Sequence, residues 1–200
     1  MRFETIKVGF LEVNCYLIPV ELENTLYIID PGASPAEVAR KAESFEMDNY
    51  SILLTHAHID HIGGINELMD LLPVSSVFLH PADRPLFESP ANELPPIMPS
   101  LAKHPETVTK TNSDVFKTIH TPGHTPGCVC FLFEKENVLF SGDTLFHASV
   151  GRTDLPGGDT KTLLESIGSK LLTLPENTEV FPGHGPATNI GWEKNNNPFL

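Results

Sequence analysis

Thr55-His56-Ala57-His58-Ile59-Asp60-His61 carries three imidazoles and one carboxylate within six consecutive residues. Burying that many imidazoles would cost solvation, and protonated imidazoles so close together would repel one another. A divalent metal ion removes both costs, because it takes neutral imidazole nitrogens as ligands. In an extended turn, His56 and His58 point to one side and Asp60 and His61 to the other, so the segment predicts a loop that serves two adjacent ions.

Three further segments each place one metal-binding side chain in or after a tight turn. The sequence TPGHTPG holds His124 between two Pro-Gly pairs, and PGHGP holds His184 in a similarly rigid turn. In SGDT, Asp143 follows the apolar segment VLF, which is typical of a buried strand. Each signal is weak alone. Together the four segments supply donors for two ions that share a carboxylate: His56, His58, Asp60, His61, His124, Asp143 and His184.

Strand and helix patterns occur in both halves of the chain, which predicts an α/β fold with the ligand residues at strand ends. The strand-like segments are RFETIKV, NCYLIPV, TLYIID, SILL, SSVFLH, VFKTI, CVCFLF, NVLFS and EVF. The segment INELMDLL after Gly63-Gly64 reads as a helix. Residues 89–100 contain four prolines and predict an ordered loop rather than regular structure.

Two other helices have recognisable sequence signals. Ser34, followed by Pro35 and Glu37, predicts a helix that begins with a capping box and runs to about Phe45. Apolar residues at i, i+4 and i+8 predict one continuous helix over about Thr160–Leu172.

Composition excludes several classes of protein. The formal net charge of −13 disfavours a nucleic-acid partner, and no segment approaches the ~18 apolar residues that a transmembrane helix needs. The first residues lack the apolar region of a secretory signal, so we expect a cytoplasmic protein with a small-molecule substrate and no membrane partner. The oligomeric state is left open. The cysteines form an odd set without CxxC spacing, and we expect buried, reduced thiols at Cys15, Cys128 and Cys130.

The motifs THAHIDH, PGH, SGDT and PGHG together resemble the metallo-β-lactamase superfamily. The likeness covers nearly the whole chain, because Asp30-Pro31-Gly32 also matches an early motif of that family. It implies a four-layer αββα sandwich, formed by a single domain over residues 1–200, with metal ions along one edge of the sheets. It implies that the first ion is held by His56, His58 and His124, and the second by Asp60, His61 and His184, with Asp143 bridging. Asp60 and Asp143 would then serve both as ligands and in catalysis.

Within that superfamily, the chain resembles small glyoxalase II-like thioester hydrolases. Gly151-Arg152-Thr153-Asp154 and the ending NNPFL carry this likeness. Typical zinc β-lactamases have a cysteine where Asp143 stands, which disfavours antibiotic hydrolysis. Glyoxalase II proper continues into a C-terminal helical domain that supplies groups for glutathione. This sequence stops sixteen residues after His184, so we expect glutathione recognition, if it occurs, to come from elsewhere.

The resemblance implies hydrolysis of a thioester of the S-lactoylglutathione type by a hydroxide that bridges two divalent metal ions. Zinc is the default, and a nitrogen and oxygen ligand set also suits iron or manganese. The alternative is a persulfide dioxygenase with one iron on His56, His124 and Asp143. A non-catalytic metal-binding module is a third class, disfavoured because structural zinc sites are usually rich in cysteine.

Four residues near these motifs keep open roles. Asp30 either supports a ligand or only caps a turn. Arg152 and Asp154 are expected to form an ion pair that braces the loop after Asp143, in preference to contacting substrate. His147 follows Asp143 by four residues and has no motif support as a ligand. The remaining histidines, His80, His104 and His120, are expected at the surface or in ordinary hydrogen bonds.

Overall fold

The computed structural model describes residues 1–111 and 113–200. The chain forms two compact units, an N-terminal unit of Arg2–Ser113 and a C-terminal unit of Asp114–Leu200 with Met1. The single domain expected from the sequence over residues 1–200 stays a prediction. Among the described residues, no helix has the length and apolar character that crossing a membrane requires.

The N-terminal unit contains a five-stranded sheet in the order β1-β2-β3-β4-β5. Strands β1 to β3 are antiparallel, whereas β3, β4 and β5 run parallel. Parallel strands end at the same edge of a sheet, so the segments that follow β3 and β4 lie side by side. The strands span Glu4–Val8, Val13–Val20, Thr25–Ile29, Asn49–Leu53 and Val74–Phe78.

The described residues of the N-terminal unit also form four helices and two 3₁₀ turns. Residues of α1 and α3 share one hydrophobic core with alternate residues of the sheet, which fixes the helices against one of its faces. The helices α1 to α4 span Pro35–Glu43, Ile59–Ile62, Ile65–Leu71 and Arg84–Phe87, and the 3₁₀ turns span Glu21–Glu23 and Pro81–Asp83.

Two local predictions for this unit are wrong. Ser34 precedes α1 but has a left-handed backbone (φ 55°) and makes no side-chain capping bond, because the capping geometry needs an extended backbone there. The metal-binding segment is not extended throughout. His58 is extended and Asp60 and His61 lie on α2, since the His61 amide donates to the His58 carbonyl at 3.0 Å.

The C-terminal unit contains a second five-stranded sheet, in the order β12-β11-β8-β7-β6, and a separate hairpin of β9 and β10. Strands β8 and β11 are parallel, and β6 runs in the same direction because β7 is antiparallel to both β6 and β8. The carboxyl ends of β6, β8 and β11 therefore share one edge. The strands span Lys117–His120, Val129–Phe133, Val138–Gly142, Leu145–Phe146, Ser149–Val150, Glu179–Pro182 and Thr188–Asn189.

Two helices pack in the C-terminal unit. Helix α5 spans Thr160–Ser166 and continues as a π-helical turn over Ile167–Leu171, so the predicted helix is confirmed, with a last turn that is π-helical. Its predicted apolar stripe is buried in the core of this unit. The sequence patterns did not reveal α6, which spans Ile190–Asn196. After α6, the Asn197 side chain donates to the Ser149 carbonyl at 3.0 Å and ties the tail to the β9–β10 hairpin.

The thiols are buried and free, as the sequence predicts. All three cysteines belong to the described residues, and none forms a disulfide. Burial raises the pKa of Cys130 to about 11, and burial also raises the pKa of Cys15. Such thiols stay protonated at neutral pH and make poor nucleophiles.

Candidate metal centre

Four predicted ligands lie together after β4 in the N-terminal unit. The imidazoles of His56 and His58 are nearly perpendicular, with ring centroids 4.9 Å apart. Nε2 of His61 lies 3.7 Å from Oδ2 of Asp60. His56 and His61 are fully buried, and His58 and Asp60 are partly exposed. This arrangement forms two pairs of donors on one short segment.

Asp30 organises these donors from the end of β3. Its Oδ1 accepts from the Thr55 amide at 2.8 Å, and its Oδ2 accepts from the Thr55 hydroxyl at 2.6 Å. Nδ1 of His61 lies 3.0 Å from the same Oδ2. Asp30 is 1% exposed, so these bonds satisfy a buried carboxylate. Asp30 therefore supports the segment of predicted ligands through Thr55 and His61, and the alternative of a simple turn cap is wrong.

The hydrogen bonds of Asp30 determine which imidazole nitrogens can bind a metal. The Thr55 hydroxyl has one proton and gives it to Asp30, so at 3.0 Å it accepts from Nδ1–H of His56. His61 likewise gives its Nδ1 proton to Asp30. Both imidazoles therefore keep the Nε2 lone pair for a cation, as metal-binding histidines commonly do. Although Asp30, His56 and His61 group closely enough to hold an ion, these bonds make that group a hydrogen-bond network.

Sequence reasoning missed two residues that hold the backbone between His56 and His58. Oδ2 of Asp83 accepts from the Ala57 amide at 2.9 Å, and Nδ2 of Asn92 donates to the Ala57 carbonyl at 2.7 Å. Both side chains are buried. Neither residue stands in a recognisable motif, so only the folded arrangement reveals them.

The three remaining predicted ligands lie together at the edge where β6, β8 and β11 end. Oδ2 of Asp143 is 3.6 Å from Nε2 of His124 and 3.6 Å from Nε2 of His184. These distances are longer than hydrogen bonds. Two imidazoles thus approach the same carboxylate oxygen, Oδ2 of Asp143.

The segment Gly151–Asp154 supports His124. The Arg152 carbonyl lies 2.7 Å from Nδ1 of His124, which keeps the Nε2 lone pair directed at Asp143. This contact requires Gly151, because a Cβ there would lie 1.9 Å from the Asp143 carbonyl oxygen. The Arg152 guanidinium makes two bonds to Asp154, at 2.8 and 2.7 Å, and holds the pKa of Asp154 at about 2. The predicted ion pair between Arg152 and Asp154 is confirmed, and its bracing of the loop stays a prediction.

The other histidines make contacts away from this donor set. His147 lies against the Trp192 ring at 4.3 Å, with Nδ1 3.5 Å from Glu193 on α6. Nε2 of His120 bonds the Pro126 carbonyl, and His80 accepts from the Ala82 amide. His104 meets the Phe87 ring, with centroids 5.6 Å apart. These four histidines therefore make hydrogen bonds or ring contacts with residues outside the predicted ligand set.

The chemistry of the seven side chains, and the spacing of five of them, fit divalent metal ions. Two ligands about 2.1 Å from one ion and about 110–120° apart are separated from each other by about 3.4–3.6 Å. The 3.6 and 3.7 Å separations within each unit match that spacing. All donors are imidazole nitrogens or carboxylate oxygens, the set that suits zinc, iron and manganese. The assembly of both groups into one centre stays a prediction.

Known proteins resemble this chain over its whole length. It matches the Metallo-beta-lactamase superfamily over residues 8–184. The hydroxyacylglutathione hydrolase GloC of Haemophilus influenzae is 37% identical, covering 100% of this chain and 98% of the relative. The probable metallo-hydrolase YqgX of Bacillus subtilis is 34% identical, with the same coverage of 100% and 98%.

Three solved structures share the fold. BLEG-1 B3 metallo-beta-lactamase has a TM-score of 0.88 and 40% identity, covering 100% of this chain and 99% of that one. TTHA1623 in a di-iron-bound form has a TM-score of 0.87 and 37% identity, covering 98% and 100%. ETHE1 from Myxococcus xanthus has a TM-score of 0.74 and 27% identity, covering 99% and 84%.

These similarities confirm the predicted fold class, α/β of the metallo-β-lactamase type. Together with the clustered donors, they support a metal-dependent hydrolase. Because the family match covers most of the sequence and the relatives match end to end, the chain belongs to the metallo-β-lactamase superfamily.

Proposed function

We propose that this protein is a dinuclear metal-dependent hydrolase that cleaves thioesters of the S-lactoylglutathione type. The observation that carries the proposal is the shared oxygen of Asp143, which lies 3.6 Å from Nε2 of both His124 and His184. The mononuclear alternative would use only His124 beside Asp143 and would leave His184 without a role as a ligand. The approach of His184 to the same oxygen therefore favours a carboxylate that would serve two ions.

The donor pairs suggest which ion each residue would hold. His56 and His58 would join His124 on the first ion, and Asp60 and His61 would join His184 on the second, with Asp143 on both. Bound divalent ions would lower the pKa of water from ~15.7 to ~7, which supplies a hydroxide nucleophile at neutral pH, and would polarise the substrate carbonyl, which makes its carbon more electrophilic.

The protein's own residues prepare this chemistry by fixing the donors. Asp30 and the Arg152 carbonyl hold the proton on Nδ1 of His61 and His124, so neither imidazole has to reorganise to bind a cation. Burial keeps the surrounding dielectric low and strengthens the attraction between carboxylates and cations. The cysteines are buried, with raised pKa at Cys15 and Cys130, so neither of these two offers a thiolate nucleophile.

A thioester suits such a site because its leaving group needs little help. A free thiol has a pKa of ~8.5, so a thiolate departs near neutral pH without a dedicated acid. The GloC relative, named as a hydroxyacylglutathione hydrolase, supports this substrate class. We propose zinc as the metal, with iron or manganese as alternatives, and the di-iron form of TTHA1623 supports keeping iron among them. Location in the cytoplasm stays a prediction.

A persulfide dioxygenase is the second candidate, because ETHE1 shares the fold at 27% identity. It would use one iron on His56, His124 and Asp143, and it would leave Asp60 and His61 without a role as ligands. The BLEG-1 structure, named as a B3 metallo-β-lactamase, makes a β-lactam the third substrate to assay.

Steady-state kinetics with S-lactoylglutathione, beside elemental analysis of the same sample, tests the proposal. We expect thioester hydrolysis with two metal ions per chain, and no turnover in His184→Ala. His104→Ala is the matched control, because His104 lies outside the donor set. One iron per chain with oxygen uptake and sulfite release from glutathione persulfide would replace the hydrolase with the dioxygenase. Preferred turnover of a β-lactam would overturn the substrate class.

A further inference from the structure

The backbone that carries His56 and His58 lies outside regular secondary structure. Strand β4 ends at Leu53 and α2 begins at Ile59. Between them, the Leu54 amide still donates to the Phe78 carbonyl at the end of the sheet, at 3.1 Å. Neither a strand ladder nor a helix therefore sets the conformation at Ala57.

Two side chains take over that role at Ala57. Asp83 accepts from its amide at 2.9 Å, and Asn92 donates to its carbonyl at 2.7 Å. Both backbone polar groups of Ala57, which belong to the two peptide units on either side of its Cα, are thereby satisfied by side chains from outside the motif. Ala57, Asp83 and Asn92 are buried, at 0%, 0% and 7% exposure, so water does not replace these bonds when one is lost.

We propose that Asp83 and Asn92 form a peptide clamp that sets the spacing of His56 and His58 and thereby the affinity of the first metal ion. The inference rests on the proposed function, because it takes His56 and His58 as ligands. The two held peptide units join Ala57 to His56 and to His58, so a change in the backbone at Ala57 would move both imidazoles. The clamp residues are positioning residues, since they act through Ala57.

The proline-rich loop of residues 89–100 positions Asn92 for the clamp. The backbone N–H of Asn92 donates to the Ser89 carbonyl at 3.1 Å. Leu94 and Met98 donate to each other's backbone carbonyls, at 2.7 and 2.8 Å. These bonds hold the loop in one shape. The prolines stiffen it further because they fix φ. A rigid loop holds the Asn92 side chain beside the Ala57 carbonyl without further loss of conformational entropy. A flexible loop would lose entropy to do the same.

Metal competition with a chromophoric zinc chelator tests the clamp without using activity. We expect Asn92→Ala and Asp83→Ala to lower zinc affinity at the first site by ~10–100-fold, the usual effect of losing a residue that supports a ligand. Asp83→Asn keeps an oxygen that can accept from the Ala57 amide, so it should restore most of the affinity. Ser89→Ala is the matched control in the same loop, since the Ser89 hydroxyl accepts only from the exposed Ala91 amide.

The outcomes distinguish an effect on zinc affinity from a loss of stability, and failure of the clamp from failure of the proposed metal centre. Circular dichroism at the titration temperature shows whether each variant is folded, and the Asn92 variant is the fallback if Asp83→Ala does not fold. Folded clamp variants with zinc affinity unchanged from the parent, even at a lower melting temperature, would overturn the clamp. The variant His58→Ala tests the metal centre itself. If His58→Ala still binds two ions, the proposed metal centre is wrong. If His58→Ala loses metal while the Asp83 and Asn92 variants keep the zinc affinity of the parent, only the clamp is wrong.

Discussion

Replacing Asp30 by asparagine should remove one metal ligand without touching any ligand residue. The two side chains have the same shape, and asparagine tolerates the left-handed backbone that Asp30 adopts at φ 50°. The fixed amide of Thr55 requires an oxygen at the Oδ1 position. The new NH₂ group therefore replaces Oδ2 and faces Nδ1–H of His61, so two donors oppose each other. His61 relieves this conflict by moving its proton to Nε2, which can then no longer bind a cation.

The magnitude follows from the bonds that change. At Oδ2, Asp30 accepts from His61 at 3.0 Å and from the Thr55 hydroxyl at 2.6 Å, and the hydroxyl can rotate to accept instead. The net loss is about one hydrogen bond to a charged group, worth about 1.5–3 kcal/mol. At about 1.4 kcal/mol per factor of ten, the second ion should bind ~10–100-fold more weakly. The first ion should change little, because His56 can still donate to a reoriented Thr55 hydroxyl.

Zinc competition titration combined with ¹⁵N NMR of the histidine side chains measures both consequences. We expect one of two zinc equivalents to weaken and the His61 signal to report a proton on Nε2. Asp48→Asn is the matched control: the same chemical change at an exposed carboxylate that bonds Asn24 at 2.6 Å. A His61 that keeps its Nδ1 proton, with both affinities within about threefold of the parent, would refute this account of Asp30.

Three further predictions follow from the structure. Asp143→Ala should abolish thioester turnover and release metal, as measured by kinetics and elemental analysis; activity at full metal content would contradict the bridging role. Gly151→Ala should lower the free energy of unfolding, measured by urea titration, by about 1–3 kcal/mol. Its Cβ would lie 1.9 Å from the Asp143 carbonyl oxygen, so the loop has to shift and move the Arg152 carbonyl away from His124. In the control Gly168→Ala the new Cβ meets nothing within 4 Å. Because the folded-state pKa of Cys130 is raised from 9.0 to about 11, the unfolded chain loses this proton first, and stability should fall as pH rises from 9.0 to about 11. Urea titrations of Cys130→Ala should show a shallower fall, and an identical slope would assign the loss to other groups.

Local sequence patterns predicted most of the strands and the identity of the donors. Strand-length apolar runs reproduced β1 to β8 and β11, because alternation and burial act over a few neighbouring residues. The capping box at Ser34 was wrong, since it depended on a backbone angle that the residue pattern does not specify. The helix over about Thr160–Leu172 was predicted, but its π-helical turn at Ile167–Leu171 was not. Helix α6 was missed because its polar sequence has no clear apolar stripe.

The sequence by itself determined which side chains can bind metal, because imidazoles and carboxylates at that density have few other stable uses. Only the tertiary structure decided how they are supported. The proton on His61 is set by Asp30, 31 residues away in the chain, and the peptide at Ala57 is held by Asn92, 35 residues away. A single hydrogen bond across such separations leaves no periodic trace in the sequence, since it depends on where two loops meet once the sheet has formed.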